Sequence, residues 1–172
     1  CVSNSVCDEA VSEGIVPLGK TVVLGKGSSN GVAATTRFDP SAVAEGSRAS
    51  IRKEFGIPAD SKVVGFVGRL VRDKGVIELT DAWKAVAEAV PKAWLPTTGP
   101  WGPRDPVPAA TRQTLESHPR VAIAGEQEDM APFYSAMDVV VLPTYREGFP
   151  NVPLEAAAMR LPVIVTRVTG CV

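Results

Sequence analysis

Short apolar runs alternate along this chain with segments of helical periodicity, and this alternation restricts its possible folds more than any other feature. The runs occupy residues 21–24, 62–68, 120–124, 138–142 and 162–166. They are apolar on both alternating faces, which is typical of strands covered on both sides in a parallel sheet. The pattern therefore predicts the strands of a parallel sheet.

Segments with one apolar stripe lie between these runs. Two stripes recur every three or four residues, and they consist of Val76, Leu79, Trp83, Val86 and Val90, and of Met130, Phe133, Tyr134 and Met137. Strand and helix in alternation predict an α/β fold, a doubly wound parallel sheet of Rossmann-like type with right-handed crossovers.

Two stretches interrupt this rhythm. Residues 25–31 are rich in Gly and Ser and are typical of a hinge or linker. Residues 94–108 contain five prolines, which predicts that residues 93–98 form at best a compromised strand.

Size and charge exclude several functional classes. The 172 residues suffice for one well-buried domain, and 18 Lys and Arg nearly balance 19 Asp and Glu. A net charge of -1 does not favour nucleic acid as a partner. No apolar run is long enough to cross a bilayer, and Cys1, Cys7 and Cys171 match neither a disulfide framework nor a zinc site. A reducing cytoplasm is the simplest setting.

Residues 146–155 carry the first chemical signal. Gly148, Phe149, Pro150 and Asn151 form a predicted turn after an apolar strand and before an Ala-rich helix. Asn151 is a favourable residue to cap that helix, and free backbone N–H groups at a helix start bind phosphate well. In open α/β sheets, ligands bind at this edge.

Glu147 and Glu155 flank this turn, eight residues apart. We expect Glu147 before the turn and Glu155 in the first helical turn, so that both face one crevice. Carboxylates do not bind phosphate, so ribose or sugar hydroxyls are the expected partners. The alternative is that Glu155 only complements the helix dipole and that Glu147 is a solvated loop charge.

Residues 65–75 supply the opposite charge. Gly68 ends a strand, and Arg69 and Lys74 follow in a glycine-bounded loop before the next helix. Two cations at such an edge could clamp a diphosphate. The segment is neither a P-loop nor a G-x-G-x-x-G fingerprint, which disfavours ATP hydrolysis and dinucleotide redox chemistry.

Other catalytic sets find little support. His118 is the single histidine and precedes Pro119 in a polar turn, where a structural role is expected. No Ser-His-Asp or Cys-His set can be assembled. Paired carboxylates also occur in glycoside hydrolases, but that chemistry needs no cationic diphosphate clamp. Trp83 and Phe133 lie on helical stripes and are predicted core residues.

Together these segments resemble the family-4 (group 1) glycosyltransferases, which consist of two facing Rossmann-like domains, the GT-B architecture. Gly68, Arg69 and Lys74 are similar to that family's diphosphate-binding segment, and Glu147 to Glu155 resembles its E-x7-E motif. Residues 30–32 (N-G-V) resemble the segment that leads into the donor-binding domain, and residues 138–143 and 161–164 resemble the strands on either side of the motif.

The resemblance implies a division of roles. The catalytic residues would be Glu147, Arg69 and Lys74. Arg69 and Lys74 would neutralise the leaving diphosphate, and Glu147 would lie close to the transferred sugar and the diphosphate. Glu155 would hold the ribose, and Gly68 and the turn from Gly148 to Asn151 would contact sugar and phosphate. The family transfers a sugar from a nucleotide diphosphate sugar and retains the configuration at the anomeric carbon. We expect the donor to be UDP-linked. It normally uses no metal or other cofactor.

The resemblance also implies a domain organisation. Residues 1–31 would be the end of the N-terminal acceptor domain with a linker, and residues 32–172 an incomplete donor-binding domain. The chain starts at Cys1 rather than Met, and both ends are interpreted as cuts through a longer sequence, so we expect this piece alone to be inactive. The acceptor would be a glycan or a lipid-linked glycan. The missing domain could contact the inner face of the cell membrane peripherally.

Two positions depart from the family pattern. Ala33 stands where an acidic residue usually follows N-G-V, and Arg160 replaces a glycine after the motif helix. If Arg160 needs a positive φ, it costs about 1 kcal/mol. Two alternative functions remain: a nucleotide-sugar epimerase of similar fold, or a non-catalytic nucleotide-binding fragment. The ending of residues 167–170 (R-V-T-G) resembles family members that use N-acetylated hexosamine donors.

Overall fold

The structure is a computed structural model that describes residues 1–27 and 31–171. Asn30, which belongs to the N-G-V segment, lies outside the described residues. In the described part, the strands are β1 (Lys62–Val67), β2 (Ala93–Thr98), β3 (Val121–Ile123), β4 (Val139–Leu142) and β5 (Val163–Val165). All neighbouring pairs run parallel, in the order β3-β2-β1-β4-β5. The predicted Rossmann-like α/β fold is confirmed.

Within residues 1–27 and 31–171, two α-helices precede the sheet, and four connect its strands. They are α1 (Asn4–Ser12), α2 (Ser47–Glu54), α3 (Val76–Ala89), α4 (Ala109–Ser117), α5 (Met130–Ser135) and α6 (Asn151–Ala158), with short 3-10 helices at Leu18–Lys20 and Arg72–Lys74. No helix among the described residues combines the length and the apolar character that crossing a bilayer requires.

The sheet separates two hydrophobic clusters. In β1, Val63 and Val67 contribute to one cluster, while Val64 and Phe66 pack with the other. This alternation is the reason why the strand is apolar on both faces. The second cluster also receives Trp83 from α3, which confirms its predicted place in the core.

The stripe predicted on α3 is right for its first two turns only. Val76, Leu79 and Trp83 are buried, but Val86 and Val90 are 37% and 41% exposed. Ala87, with 5% exposure, takes the buried position instead. Ala87 lies four residues after Trp83 and Val86 lies three after it, and a spacing of four is closer to the helical period of 3.6 residues.

The prediction for residues 93–98 was wrong, because β2 is a complete inner strand. Paired residues with β1 are Lys62–Ala93 and Val63–Trp94, then Phe66–Thr97 and Val67–Thr98. The pairing with β1 therefore omits two steps, at Leu95 and at Pro96, and Pro96 lacks an N–H. Both residues still pair with β3, Leu95 with Val121 and Pro96 with Ala122, so the proline interrupts the ladder without removing the strand.

The strand predicted at residues 21–24 was also wrong. This stretch has no regular secondary structure and pairs with no strand within residues 1–27 and 31–171. Val22 and Leu24 are 64% and 79% exposed. An apolar run without a neighbouring strand leaves its backbone groups without ladder partners, so its residue preference alone does not make it a strand.

One acidic side chain ties α2 to the sheet. Asp138 accepts hydrogen bonds from Arg48 at 2.6 Å, from Arg52 at 3.1 Å and from the N–H of Val63 at 2.8 Å. Arg52 is only 3% exposed and also donates to the carbonyl of Ala136. Burial alone would raise the pKa of Asp138, but the Val63 N–H and the two guanidinium groups outweigh it and lower that pKa.

The end of α6 confirms the strain expected at Arg160. Its φ is 59°, in the left-handed region. Its N–H donates to the carbonyl of Ala157, and the N–H of Leu161 donates to that of Ala156, both at 2.9 Å. This pattern is a Schellman motif, in which glycine is the usual residue at the left-handed position.

Candidate functional site

The candidate site lies where the strand order reverses. From β1 the chain continues to β2 on one side, whereas β4 lies on the other side of β1 and leads on to β5. The loops that leave the carboxyl ends of β1 and β4 therefore diverge and leave a crevice between them. Open α/β sheets bind their ligands at this point.

Three contacts hold these two loops together. The buried hydroxyl of Thr144 donates to the carbonyl of Asp73 at 3.2 Å, and the N–H of Tyr145 donates to the same oxygen at 2.9 Å. Nε of Arg146 lies 2.9 Å from the carboxylate of Asp73. The loop after β4 is thus fastened to the 3-10 helix that carries Lys74.

Close packing in this region requires a glycine between the 3-10 helix and α3. Gly75 has a φ of 70°, and a Cβ there would lie 1.9 Å from the carbonyl oxygen of Pro143. Only glycine satisfies both the backbone conformation and the approach. The predicted glycine boundary of the cationic loop therefore has a steric cause.

Lys74 and Glu147, both predicted site residues, meet across the crevice. Nζ of Lys74 donates to Oε1 of Glu147 at 2.5 Å, and their side chains are 15% and 13% exposed. The interpretation of Glu147 as a solvated loop charge is wrong, because this carboxylate is mostly buried and paired. An ammonium has three donors, so two of those on Lys74 remain for another acceptor.

Arg69 and Gly68 lie at the tip of β1. The N–H of Gly68 donates to the carbonyl of Thr98 at 2.9 Å, so this amide is already used within the sheet. Arg69 is exposed. Within residues 1–27 and 31–171 its guanidinium has no hydrogen-bonding or ion-pair partner, so it retains all its donors for a ligand.

The turn from Gly148 to Asn151 connects β4 to α6, as predicted, but the cap differs. Pro150 occupies the N-cap position without a side-chain hydrogen bond, and Asn151 is the first helical residue. The Oδ1 of Asn151 is buried and has no partner among the described residues. The prediction that Asn151 caps α6 was wrong because the extended backbone of Pro150, with ψ of 128°, already ends the loop.

The backbone amides of this turn point to a ligand role all the same. In the part of the chain that the structure describes, the N–H groups of Gly148, Phe149 and Asn151 donate to no protein acceptor. Unpaired N–H groups at a helix start form an anion-binding arrangement.

Glu155 lies slightly beyond its predicted position. It is the fifth residue of α6, and the first turn of this helix has no acidic residue. The predicted placement in the first turn was therefore wrong by one residue. Its Oε2 accepts a hydrogen bond from the hydroxyl of Tyr134 at 2.9 Å. This contact gives the carboxylate a definite orientation that complementing a helix dipole does not require.

Tyr134 is a residue that the sequence pattern did not assign to the site. Its place on a helical stripe correctly predicted burial, and it is 0% exposed. Its hydrogen bond to Glu155 joins α5 to α6 and has no local sequence signal. Burial, followed by the charge of Glu155, raises the pKa of Tyr134 far above its ordinary value, so the phenol stays protonated and donates.

The start of α1 also reaches the turn. Oγ of Ser3 donates to the carbonyl of Gly148 at 3.0 Å, and Oγ of Ser5 accepts from the N–H of Gly170 at 2.9 Å. A Cβ on Gly170 would lie 2.1 Å from the carbonyl oxygen of Glu147. Both chain segments beside Glu147 are therefore held by Ser3 and Ser5, neither of which the sequence pattern assigned to the site.

His118 has the structural role predicted for it. Its Nδ1 accepts from the N–H of Arg120 at 3.1 Å and from the indole N–H of Trp83 at 3.4 Å. Burial, with the nearby charge of Arg120, lowers the pKa of His118. Across residues 1–27 and 31–171, no three His, Cys, Asp or Glu side chains are grouped to hold a metal ion.

Comparison with known proteins relates this geometry to two curated relatives. The capsular polysaccharide biosynthesis glycosyltransferase CapM of Staphylococcus aureus is 33% identical over 172 residues, which covers 99% of this chain and 43% of CapM. The putative teichuronic acid biosynthesis glycosyltransferase TuaC of Bacillus subtilis (strain 168) is 37% identical over 128 residues, covering 73% of this chain and 30% of TuaC. The chain spans less than half the length of either relative.

Solved structures show the same fold. The crystal structure of Anabaena Alr3699/HepE in complex with UDP-glucose superposes with a TM-score of 0.82 at 23% identity, over 99% of this chain and 45% of that one. The family model described as glycosyl transferases group 1 matches residues 61–172, the part that carries Arg69, Lys74, Glu147 and Glu155. The chain belongs to the group 1 glycosyl transferases.

Proposed function

We propose that the full-length protein transfers a sugar from a nucleotide diphosphate sugar to a glycan or lipid-linked acceptor in polysaccharide biosynthesis. Residues 32–172 form its donor-binding domain in this proposal. The observation that carries it is the contact of Lys74 with Glu147 at the switch point of the sheet. A diphosphate needs cations at this edge, and a sugar needs hydrogen-bond acceptors beside them.

The diphosphate binds between the two cationic residues in this proposal. Lys74 keeps two donors after its bond to Glu147, and Arg69 keeps its whole guanidinium. Within the residues that the structure describes, Lys74 pairs with no carboxylate other than Glu147, and Arg69 pairs with none. Positive groups that are already in place stabilise the negative charge that develops on a leaving diphosphate.

The sugar and its β-phosphate lie over the turn before α6. The free N–H groups of Gly148, Phe149 and Asn151 donate to sugar or phosphate oxygens, and Glu147 accepts from a sugar hydroxyl with its remaining lone pairs. Glu155 accepts from the ribose hydroxyls. Each of these contacts matches the hydrogen-bonding capacity that the protein leaves unused.

The reaction exchanges one C–O bond for another. The bond between the anomeric carbon and the diphosphate oxygen breaks, and the diphosphate leaves with the electron pair. An acceptor hydroxyl oxygen bonds to the same carbon on the same face and passes its proton to the departing diphosphate oxygen, so configuration is retained. Lys74, Arg69 and the helix start stabilise the leaving group, and the proposal includes no metal ion or other cofactor.

The acceptor class is supported by relatives. CapM is named for capsular polysaccharide biosynthesis and TuaC for teichuronic acid biosynthesis. Both names describe polysaccharides, so a growing glycan or its lipid-linked precursor is the acceptor that we propose here. The donor is UDP-linked in this proposal, as expected from the sequence resemblance.

Donor binding and transfer can be tested in sequence on the full-length protein. A thermal-shift panel of UDP-, GDP- and ADP-linked sugars identifies the donor, and NMR of the transfer product reports its anomeric configuration. We expect one nucleotide class to stabilise the fold and the product to keep the donor's configuration, with or without a chelator. Failure of every nucleotide sugar to bind would contradict the proposal. An inverted product would contradict the retaining mechanism, and a strict metal requirement would contradict the metal-free one.

The same experiment separates the alternative functions. A nucleotide-sugar epimerase changes the donor's sugar without an acceptor, which NMR of the donor alone detects. A non-catalytic nucleotide-binding protein binds the donor and leaves it unchanged with every acceptor. Transfer of the sugar to an added glycan distinguishes the proposed function from both.

A further inference from the structure

The hydrogen bond from Tyr134 to Glu155 spans two helices and uses one oxygen of the carboxylate. The hydroxyl of Tyr134 donates to Oε2 of Glu155 at 2.9 Å, and the tyrosine ring is completely buried. The ring of Phe38 packs edge-on against it, with the centroids 6.0 Å apart. Because the phenol cannot move without opening the core, it holds Glu155 in one orientation.

The second oxygen of this carboxylate is available. Within residues 1–27 and 31–171, Oε1 of Glu155 accepts no hydrogen bond from the protein. The residue lines a cavity of about 500 Å³, together with Val32, Ala33, Arg37 and Phe38. A half-buried acceptor beside an open cavity favours a ligand that supplies a donor, because a ligand without one would leave the carboxylate oxygen desolvated and unpaired.

We infer that Tyr134 is a positioning residue that orients Glu155 to recognise the hydroxyls of a ribose ring and so selects ribonucleotides over deoxyribonucleotides. This inference rests on the proposed function, in which Glu155 binds the ribose. A carboxylate accepts only, and each oxygen offers two lone pairs, so it suits the two donors of a vicinal diol. Tyr134 occupies one lone pair of Oε2, and the others remain for a ligand in the cavity that Glu155 lines.

Selection for ribose follows because a deoxyribose ligand leaves the carboxylate oxygen of Glu155 without a hydrogen-bond donor. With ribose bound, the free carboxylate oxygen gains a donor in place of the water that it loses. A deoxyribose ligand excludes that water and supplies no donor, which weakens binding. If Tyr134 did not fix the carboxylate, Glu155 could turn towards solvent, and the difference between the two ligands would diminish.

The test compares ligands that differ by one hydroxyl. On the full-length protein, calorimetry measures the Kd of the preferred nucleoside diphosphate, among UDP, GDP and ADP, and of its 2′-deoxy and 3′-deoxy forms. The ratio of deoxy to ribo Kd is the readout. We expect Tyr134→Phe to lower at least one of these ratios by about fivefold to tenfold, the value of an ordinary hydrogen bond, because the loss of the phenol acts on the ligand only through Glu155.

Tyr145→Phe is the matched control. Tyr145 is 60% exposed, and its hydroxyl donates to Glu78 rather than to the cavity. This variant should leave both ratios unchanged. If Tyr134→Phe does not fold, fluorotyrosine at position 134 keeps the ring and strengthens the hydrogen bond, and it should raise the ratio.

Each outcome has a distinct meaning. A wild-type protein that binds none of the diphosphates contradicts the proposed function itself. A protein that binds them without preferring ribose contradicts the role of Glu155. A clear ribose preference that neither Tyr134→Phe nor the fluorotyrosine form alters overturns the inference about Tyr134 and leaves the proposed function intact.

Discussion

Nζ of Lys74 lies 2.5 Å from Oε1 of Glu147, although 73 residues separate the two in the chain. The pair joins the loop after β1 to the loop after β4. In the proposed reaction, Glu147 orients the ammonium and the diphosphate takes up its other donors. The two residues therefore act as one unit, and each provides a route to test it.

Replacing Lys74 by Met keeps the length of the side chain and removes its charge. We expect Lys74→Met to weaken binding of a nucleoside diphosphate by about 10- to 100-fold, because a hydrogen bond to a charged group contributes about 1.5–3 kcal/mol. Binding of the corresponding nucleoside, which has no phosphate, should change little. Calorimetry on the full-length protein measures both.

Lys84→Met is the control for that substitution, because Lys84 is 60% exposed and pairs with Asp81 on α3. It should leave both affinities unaltered. Equal losses for the nucleoside and the nucleoside diphosphate in Lys74→Met would refute a diphosphate-binding role.

A methyl group at position 170 should displace the backbone of Glu147. The Cβ of Gly170→Ala would lie 2.1 Å from the carbonyl oxygen of Glu147, so the two segments must separate. We expect kcat to fall by about tenfold to a hundredfold, since displacements near 1 Å have effects of this size. Steady-state kinetics and circular dichroism report turnover and folding.

Gly14→Ala provides the matched comparison. Gly14 has a φ of 70°, close to the 83° of Gly170, but a Cβ there would meet no atom within 4 Å. Both variants carry the same kind of backbone strain, and only one carries the clash. If the two reduce kcat equally, the loss arises from general destabilisation and the contact with Glu147 is irrelevant.

Acid should weaken the attachment of α2 through Asp138. The folded-state pKa of Asp138 is below its ordinary value of 3.8, so its stabilising contribution is present above that pH and is lost as the pH falls through the folded pKa. Asp138→Asn leaves the buried Arg52 charge without its partner. We expect the free energy of unfolding at pH 7 to fall by about 2 kcal/mol, less than the loss of a fully buried pair would cost, because the side chain of Asp138 is 35% exposed.

Urea unfolding of both proteins between pH 7 and pH 2.5 measures this effect. The difference between wild type and Asp138→Asn should shrink towards the acid end. Asp60→Asn serves as the control, because Asp60 pairs with Lys92 at the surface and should contribute little. A difference that stays constant down to pH 2.5 would show that the charge of Asp138 is not its cause.

Arg160→Gly should stabilise the protein. Arg160 adopts a φ of 59°, which a non-glycine residue occupies at a cost, and glycine removes that cost at the expense of a more flexible unfolded chain. We expect a net gain of about 0.5–1 kcal/mol, seen as a rise in Tm of about 1–4 °C. Arg160→Ala retains the strain and should give no gain; an equal gain from alanine would assign the effect to the loss of the guanidinium.

The fold was largely predictable because its signals are local. Strands β1, β3, β4 and β5 follow from apolar runs, and the chemical residues follow from charges placed between a strand and a helix. The errors have local causes too. Pro96 removes one hydrogen bond without excluding residues 93–98 from the sheet, and residues 21–24 have the apolar character of a strand without a neighbour to pair with.

The amino-acid sequence specifies the alternation of strands and helices, the sheet edge that carries the site, and the residue types available there. Which of these residues meet depends on the tertiary fold. Lys74 reaches Glu147 because β1 and β4 are neighbours, and Tyr134 reaches Glu155 because α5 and α6 contribute to the same hydrophobic cluster. Periodicity specifies which surface each element buries. Contacts between residues far apart in the chain depend on strand order and helix packing, and a local sequence pattern contains no information about either.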